Sequence, residues 1–453
     1  MDIETFPTKR RSGHRVAVIG SGISGLSAAW LLSRSADVVI YESDSRLGGH
    51  SNTVDFEQSG GSIPVDTGFI VFNEKNYPNL TAMFDHLGVE TEASDMSFAA
   101  SLSNGRFEYS GSGLNGLLGQ RMNVVSPRFW TMLKGLLRFY RDAPALADRT
   151  DLDHMSLGDY LDQQGYSQSF IDDHLLPMGA AIWSTTANDM REYPLVAFIR
   201  FFVNHGLVNL KGRPQWRTVT GGSRRYVQRI AEAFPGEIRL STPVQRVERL
   251  GASGVRVHTA GGHSEVFDDV VLACHADQAL GMLADADTLE RDLLGAFQYT
   301  SNLAVLHSDT DLMPKRKSFW SSWNYIGGGR SREDQALCVS YWMNRLQNLP
   351  TKTDLFVTLN PSRRIAPSKV AASFDYTHPL FDTKALAAQR SLWQLQGRRG
   401  TWFCGAYFGS GFHEDGLQSG LAVAETLGGV RRPWEVRNES GRIHLGQALA
   451  AAE

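Results

Sequence analysis

The sequence predicts an α/β protein in which a parallel-sheet domain is interleaved with a second domain of mixed sheet and helices, and three features carry that expectation. Arg15–Glu42 reads as strand, glycine-rich turn, helix and strand. Short apolar runs of the same buried kind return far along the chain, at Val270–His275 and at Trp402–Cys404. Between them, residues 73–216 and 297–394 change character, with longer helical patterns, many aromatics and further sheet-like runs. A chain of 453 residues also exceeds what one core usually holds. The expected division is 15–72, 217–296 and 395–429 for the first domain and 73–216 and 297–394 for the second. Residues 1–14 are expected to form a flexible lead-in, and 430–453 a polar tail that is surface-bound or mobile.

The N-terminal unit is specific in its chemistry. Val16–Ile19 form a β-branched run suited to a buried strand, and Gly20-Ser21-Gly22-Ile23-Ser24-Gly25 follows. Gly20 allows the tight exit from the strand, Gly22 lets backbone approach a pyrophosphate, and Gly25 lets the helix lie close on the sheet. The helix start at Ile23 and Ser24 offers N–H groups and a partial positive charge to phosphates. Asp37–Tyr41 give a second strand that ends at Glu42, where a carboxylate can accept from both hydroxyls of an adenosine ribose and would repel a 2′-phosphate. The unit therefore predicts a Rossmann-like domain for FAD or NAD rather than NADP.

The next loop, Ser43-Asp44-Ser45-Arg46-Leu47-Gly48-Gly49-His50, again permits close backbone approach at its glycines, and Arg46 can meet a phosphate. The order Gly-x-Gly-x-x-Gly, terminal Glu, then Arg-x-Gly-Gly resembles the flavin-containing amine oxidase superfamily, which also holds protoporphyrinogen oxidases and phytoene-type desaturases. That resemblance implies FAD, with Ser43, Gly48 and Gly49 beside it, and places Asp66-Thr67-Gly68 next to the flavin ring. Taken alone, Asp66 reads as a turn or cap residue. By the same resemblance Val244, at the start of an expected strand meander that runs to Phe267, faces the adenine with its backbone. Trp402–Gly420 combines strand, glycine turn and helix, and Gly405, Asp415, Gly416, Leu417 and Ser419 would set a helix N-terminus against the flavin, where it stabilises negative charge on the reduced ring. No cysteine stands where monoamine oxidases tether their flavin, so the FAD is expected to be noncovalent, and no metal is expected.

Composition bounds the partners. A formal net charge of -3 with mixed signs gives no reason to expect nucleic acid. Cys274, Cys338 and Cys404 lie in or beside apolar runs without paired spacing, which reads as buried thiols in a reducing, cytoplasmic compartment. Residues 1–14 are polar and are not expected to act as a secretory signal, and no run of about twenty apolar residues occurs. The stretch Phe129–Arg141, with Arg128, Lys134, Arg138 and Arg141, forms a basic amphipathic helix that can either cover a core or lie on the inner face of an anionic membrane. The apolar stretches Leu176–Ser184 and Tyr193–Phe202 can line a substrate channel or simply fill a core.

The chemistry implied is removal of two electrons and a proton from a C–H bond. The monoamine-oxidase branch carries a lysine bridged by water to the flavin; the comparable stretch Ser301–His307 has none, and Asn302 is the rough match. His50, His413 and Glu414 are the proton-handling candidates, since histidine titrates near neutrality and a carboxylate can act as a base; a histidine beside a glycine turn also serves as a backbone partner. Leu-Gly-Gly-His-Ser, Tyr-Trp-Met-Asn and Gly-Phe-His-Glu-Asp-Gly are all present and resemble a bacterial subgroup of predicted NAD/FAD-binding proteins. Some of its members resemble desaturases of methyl-branched, phospholipid-bound acyl chains that act with cyclopropane-fatty-acid-synthase-like methyltransferases. Amine oxidation yielding aldehyde or imine and peroxide, and a non-catalytic FAD-binding scaffold, stay open beside that reading.

Overall fold

The structure is a computed structural model and describes residues 13–111, 113–209, 211–327 and 338–446. The lead-in thus lies almost wholly outside the described residues.

Five short strands form a parallel sheet in the order Glu237–Arg239, Asp37–Tyr41, Arg15–Ile19, Asp269–Leu272, Thr401–Phe403. Alternation along these strands sends side chains to two cores. Val16, Val18, Val38, Ile40 and Val271 pack with the helices Ile23–Leu32 and His413–Gly428. Ala17, Ile19, Val39, Tyr41, Val270 and Leu272 pack towards the antiparallel meander Val244–Arg249, Val255–Thr259, Ser264–Phe267. Burial on both faces is why these runs are continuously apolar. The two helices cross closely because a Cβ at Gly420 would fall 2.2 Å from the Ser24 carbonyl oxygen.

A second, seven-stranded sheet runs in the order Val370–Leu380, Gln298–His307, Phe356–Leu359, Val339–Trp342, Trp323–Gly327, Phe98–Leu102, Phe107–Ser110. Its pairs are antiparallel except Trp323–Gly327 with Phe98–Leu102. It draws strands from two distant stretches of chain, and the helices between 127 and 204 stand with it. Val71–Asn73 and Thr91–Ser94 both pair with Trp216–Val219. Those strands straddle the expected boundaries at 72 and 216, so the chain passes between the domains as hydrogen-bonded ladder and not as loop.

The apolar stretches are helices, Leu176–Trp183 and Leu195–Asn204, and two local expectations change. Tyr341-Trp342 end a strand, but Met343–Leu346 turn into a short helix because the Asn344 side chain accepts from Leu355 N at 2.7 Å and closes the connection to the next strand. The C-terminal segment packs as far as it is described: Trp434 stacks on Trp30 with ring centroids 5.9 Å apart, and the Arg432 side chain is fully buried on Glu425. No helix among the described residues is long and apolar enough to cross a membrane.

Candidate functional site

One cavity of about 440 Å³ is walled at one end by the turn Gly20–Ser24 with Glu42 and Ser43, in its middle by Gly48, Gly49, His50, Thr67, Gly68 and His413, and beyond them by side chains of the second domain. The first wall follows from the fold, since open α/β sheets present ligand sites at the carboxyl ends of their strands. Glu42 is 8% exposed, accepts from Ser21 N at 2.9 Å and Asp44 N at 2.8 Å, and has no cationic partner among the described residues.

Two glycines of the turn are explained by protein packing and one is not. A Cβ at Gly20 would sit 2.5 Å from the Ala273 carbonyl oxygen, and one at Gly25 would sit 2.0 Å from that of Gly20. Gly22 has an ordinary φ of -63° and nothing within 4 Å of its Cβ position. Neither strain nor crowding demands glycine there, so the space it keeps open is space for a ligand. Gly22 faces the cavity at the start of the helix Ile23–Leu32, whose first turn carries no side-chain cap. A free helix start, a vacant Cβ position and a buried carboxylate at the strand end fit the pyrophosphate and ribose of a dinucleotide.

The family model for flavin containing amine oxidoreductases matches residues 23–427. The chain belongs to that family. Protoporphyrinogen oxidase 2 of Arabidopsis thaliana is 40% identical over 79 residues, 17% of this chain and 15% of that protein. AofH of Mycobacterium tuberculosis, named as a flavin-containing monoamine oxidase, is 26% identical over 259 residues, 55% of this chain and 54% of that protein. The match thus spans about half or less of the length of these curated relatives. Among solved structures the fold is shared with a fatty acid isomerase from P. acnes (TM-score 0.65, 14% identity, 92% of this chain and 98% of that one). It is shared equally with putrescine oxidase (TM-score 0.64, 16% identity, 91% and 98%) and with cyclohexylamine oxidase from Brevibacterium oxydans (TM-score 0.62, 19% identity, 91% and 99%). The family's FAD is the dinucleotide that the turn and Glu42 fit.

Several residues expected at the cofactor do other work among the described residues. Arg46 folds back on its own loop, donating to the carbonyl oxygens of Leu47, Gly49 and Ser51. Asp66 is fully buried and anchors the helix Arg224–Ala233 by accepting from Ser223 N at 2.9 and 3.0 Å, with Thr53 and Gln347 completing its shell. Burial pushes its carboxyl up to about 6. Thr67 and Gly68 do line the cavity, and a Cβ at Gly68 would strike the His50 carbonyl oxygen at 2.1 Å. Val244 opens the meander strand outside the cavity wall. Gly405 lines the cavity, and Ser419 braces it from behind by accepting from Gly405 N at 3.0 Å. Asp415 caps its helix at Phe412 N and pairs with Arg442 at 2.6 Å, while Gly416 and Leu417 face the first helix and the core.

The three proton-handling candidates and Asn302, the match for the absent lysine, separate. His413 lines the cavity, stacked 3.7 Å from the Phe69 ring and held by Ser51 Oγ at 2.9 Å; burial drives its pKa to about 3, so it is neutral. Glu414, one residue on, turns to the opposite side and accepts from Asn79 N and Leu80 N, capping the helix Pro78–Leu87 away from the cavity. Asn302 stands behind the wall and donates to His378 Nδ1 at 3.1 Å. That contact gives His378 the tautomer with a proton on Nε2. His50 faces the cavity and makes no hydrogen bond through its ring among the described residues; burial, with His378 and His275 nearby, holds it well below the usual histidine range.

Around His50 the structure assembles a group the sequence did not announce: Tyr376 at 5.0 Å, His378 at 5.4 Å and His275 at 6.2 Å between ring centroids. Tyr299 stacks on His275 at 4.5 Å. Antiparallel pairing of Asn302 with Tyr376 and Ser301 with Thr377 brings these residues together. Deeper in the second domain, His205 lies on Phe201 with centroids 3.8 Å apart; its Nδ1 donates to the Phe201 carbonyl, and its Nε2 is an unpartnered acceptor in the wall. His275 ends the apolar run Val270–His275 and takes the cap position of the helix that follows the strand Asp269–Leu272, which was a usable signal. His378 had none, because its partners lie on other elements, and His205, held by Phe201 one turn earlier on its own helix, carried nothing that set it apart from a core histidine.

Proposed function

We propose that this protein is an FAD-dependent oxidoreductase that takes a hydride from a C–H bond of a long apolar substrate, and that the substrate is a phospholipid-borne acyl chain, including methyl-branched chains, in which it forms a C=C bond. The observation that carries the reading is the composition of the cavity wall. Beyond the nucleotide end, with its single carboxylate Glu42, the wall holds no Asp, Glu, Lys or Arg among the described residues and is mainly aromatic and aliphatic, with neutral histidines and a few uncharged polar side chains such as Ser184, Gln278 and Thr377. Ile182, Trp183, Phe201, Leu207, Trp323 and Leu359 offer an alkyl chain apolar surface at every step.

Bound flavin supplies the hydride acceptor, through chemistry that belongs to the cofactor. The chain's own residues position the carbon and receive a proton. Desaturation releases a proton from the carbon next to the one that gives up hydride. His50 and the deeper His205 each bring an unpartnered ring nitrogen to the wall, and His50, which stands beside the cofactor loop Gly48-Gly49, is assigned to take it. His378, its tautomer fixed by Asn302, presents an N–H beside His50 and orients what lies between them. The stacked Phe69 and His413 rings form a flat wall that excludes water. A methyl-branched substrate places this reaction after a methyl transfer to an unsaturated chain, and a methyltransferase is the matching pathway partner.

The test is anaerobic reduction of the purified yellow protein. Phospholipids bearing monounsaturated or methyl-branched chains should bleach the flavin, and mass spectrometry of the lipid should show loss of two hydrogens. Bleaching by amines alone, with aldehyde formed, would transfer the protein to amine oxidation; no bleaching by any substrate would leave an FAD-binding scaffold.

A further inference from the structure

The helix Pro127–Asp142 buries one face and leaves the other in solvent, and its solvent face has an unusual composition. Phe129, Met132, Leu136 and Phe139 go into the core. The opposite stripe, at helical spacings of four, three and four, is Trp130, Lys134, Leu137 and Arg141. Trp130 and Leu137 are each 48% exposed. With Leu133 and Arg138 they line a shallow groove along the outer side of the helix.

The preceding turn extends the same surface. Trp130 Nε1 donates to the Val124 carbonyl oxygen at 2.8 Å, which draws the segment 121–125 against the stripe. There Met122 is 70% exposed, Val125 72% and Val124 45%. Half of the ten exposed large hydrophobic side chains among the described residues thus fall between 122 and 137. The charge is equally concentrated: segment 121–142 carries five basic side chains and one acidic one, in a chain whose formal net charge is -3. Arg128 is engaged by Asp173, and Arg138 and Arg141 share Asp142. Arg121 and Lys134 form no ion pair among the described residues.

A helix that only roofed a core would put polar residues outward. Large apolar side chains standing among unneutralised cations fit one kind of partner, a surface that is apolar below and anionic at its boundary. We propose that the surface formed by Met122, Val124, Val125, Trp130 and Leu137, framed by Arg121 and Lys134, docks on an anionic phospholipid bilayer, with the apolar side chains entering the headgroup boundary. The inference concerns a face distinct from the cavity and holds whichever substrate the cavity takes.

The experiment uses the full flavin-loaded chain with vesicles of phosphatidylcholine alone and of phosphatidylcholine with phosphatidylglycerol. Cosedimentation is expected with the mixed vesicles, about tenfold weaker at high than at low salt, and little with phosphatidylcholine alone. Val125→Ser and Lys134→Glu should each weaken binding several-fold while leaving flavin content and thermal midpoint unchanged. Leu137→Glu should abolish it; if that variant loses its flavin, the exposed Val125→Ser decides alone. Equal binding to neutral vesicles, no binding to anionic ones, or full binding by Val125→Ser and Lys134→Glu would overturn the proposal. So would a wild-type dimer that Leu137→Glu converts to monomer, since a second copy would then cover the stripe.

Discussion

Replacing Gly22 by alanine should separate the ligand's demands from the fold's. The backbone there has φ -63° and ψ 178°, which any L residue adopts, and the new Cβ would have no protein atom within 4 Å. The substitution removes glycine's freedom from the unfolded chain without native strain, a gain of about 0.4–1 kcal/mol. In a chain of this length that raises the midpoint of the flavin-free protein by roughly 2 °C at most. The holoprotein behaves oppositely. A methyl in the space kept for the pyrophosphate displaces it from the helix start, and losing one hydrogen bond to a charged group costs about 1.5–3 kcal/mol, or roughly 10- to 150-fold in FAD affinity. The assay is fluorescence titration of deflavinated protein with FAD, paired with thermal melts of the same sample. Gly25→Ala is the control: its Cβ would lie 2.0 Å from the Gly20 carbonyl oxygen, so it should lower the midpoint with or without flavin. Wild-type FAD affinity in Gly22→Ala, or a collapse of its flavin-free form, would refute the assignment of this turn to the pyrophosphate.

Other expectations are more direct. Acid precipitation should release all yellow colour into the supernatant, and Glu42→Gln should weaken FAD by roughly 1–3 kcal/mol if Glu42 meets the ribose hydroxyls; unchanged affinity would remove it from that role. His50→Gln should slow flavin reduction by substrate and leave flavin content intact, whereas loss of flavin would make the residue structural. Burial holds His174, His205 and His307 near 4, 3 and 4. The unfolded chain therefore binds protons first as pH drops below about 6.5, and stability present above that pH falls by about 1.4 kcal/mol per unit per histidine down to the folded values. Asp66, raised to about 6, works in the opposite direction and offsets part of the loss; a thermal midpoint constant from pH 7 to 5 would contradict the balance. Arg432→Ala should cost about 3–5 kcal/mol by leaving Glu425 short of its buried partner, and an unchanged melt would mean the C-terminal segment is not part of the fold.

What could be read from the chain alone was whatever is decided within one supersecondary unit. Val16 to Glu42 encodes strand, turn and helix by local sterics, and the structure builds them there. The apolar character of Leu176–Trp183 and Leu195–Asn204 was equally plain, but whether such runs are helix, strand, core or wall depends on what packs against them. His413 and Glu414 show the limit at close range. They are neighbours in sequence, yet successive helix positions point about 100° apart, so one meets the cavity and the other caps a helix more than three hundred residues earlier in the chain. Asp66 was ambiguous for the same reason: its partners Ser223 and Gln347 are distant in sequence, and only their arrival makes it an anchor. Tyr376 and His378 reach His50 through strand register, which no local pattern reveals.

The wall's charge balance bears on which substrate the cavity favours. An ammonium group brought into a space bounded by aromatics and neutral histidines gives up its water, and without a carboxylate to meet it the penalty is several kcal/mol. An amine could enter uncharged, but it would first have to lose its proton against a solution pKa near that of lysine, about 10.4, which at neutral pH costs roughly 4–5 kcal/mol before any contact is made. An alkyl chain carries no such debt. Each methylene that leaves water for the wall contributes about 0.8 kcal/mol, so six of them offset what the amine must spend merely to enter. The histidines fit the same logic, because held neutral by burial they add hydrogen-bonding edges near the reacting carbon without adding a charge that the chain would have to desolvate. A cavity selected for amines would gain from a single carboxylate in its second-domain wall, and the same carboxylate would cost an acyl-chain enzyme affinity at every turnover.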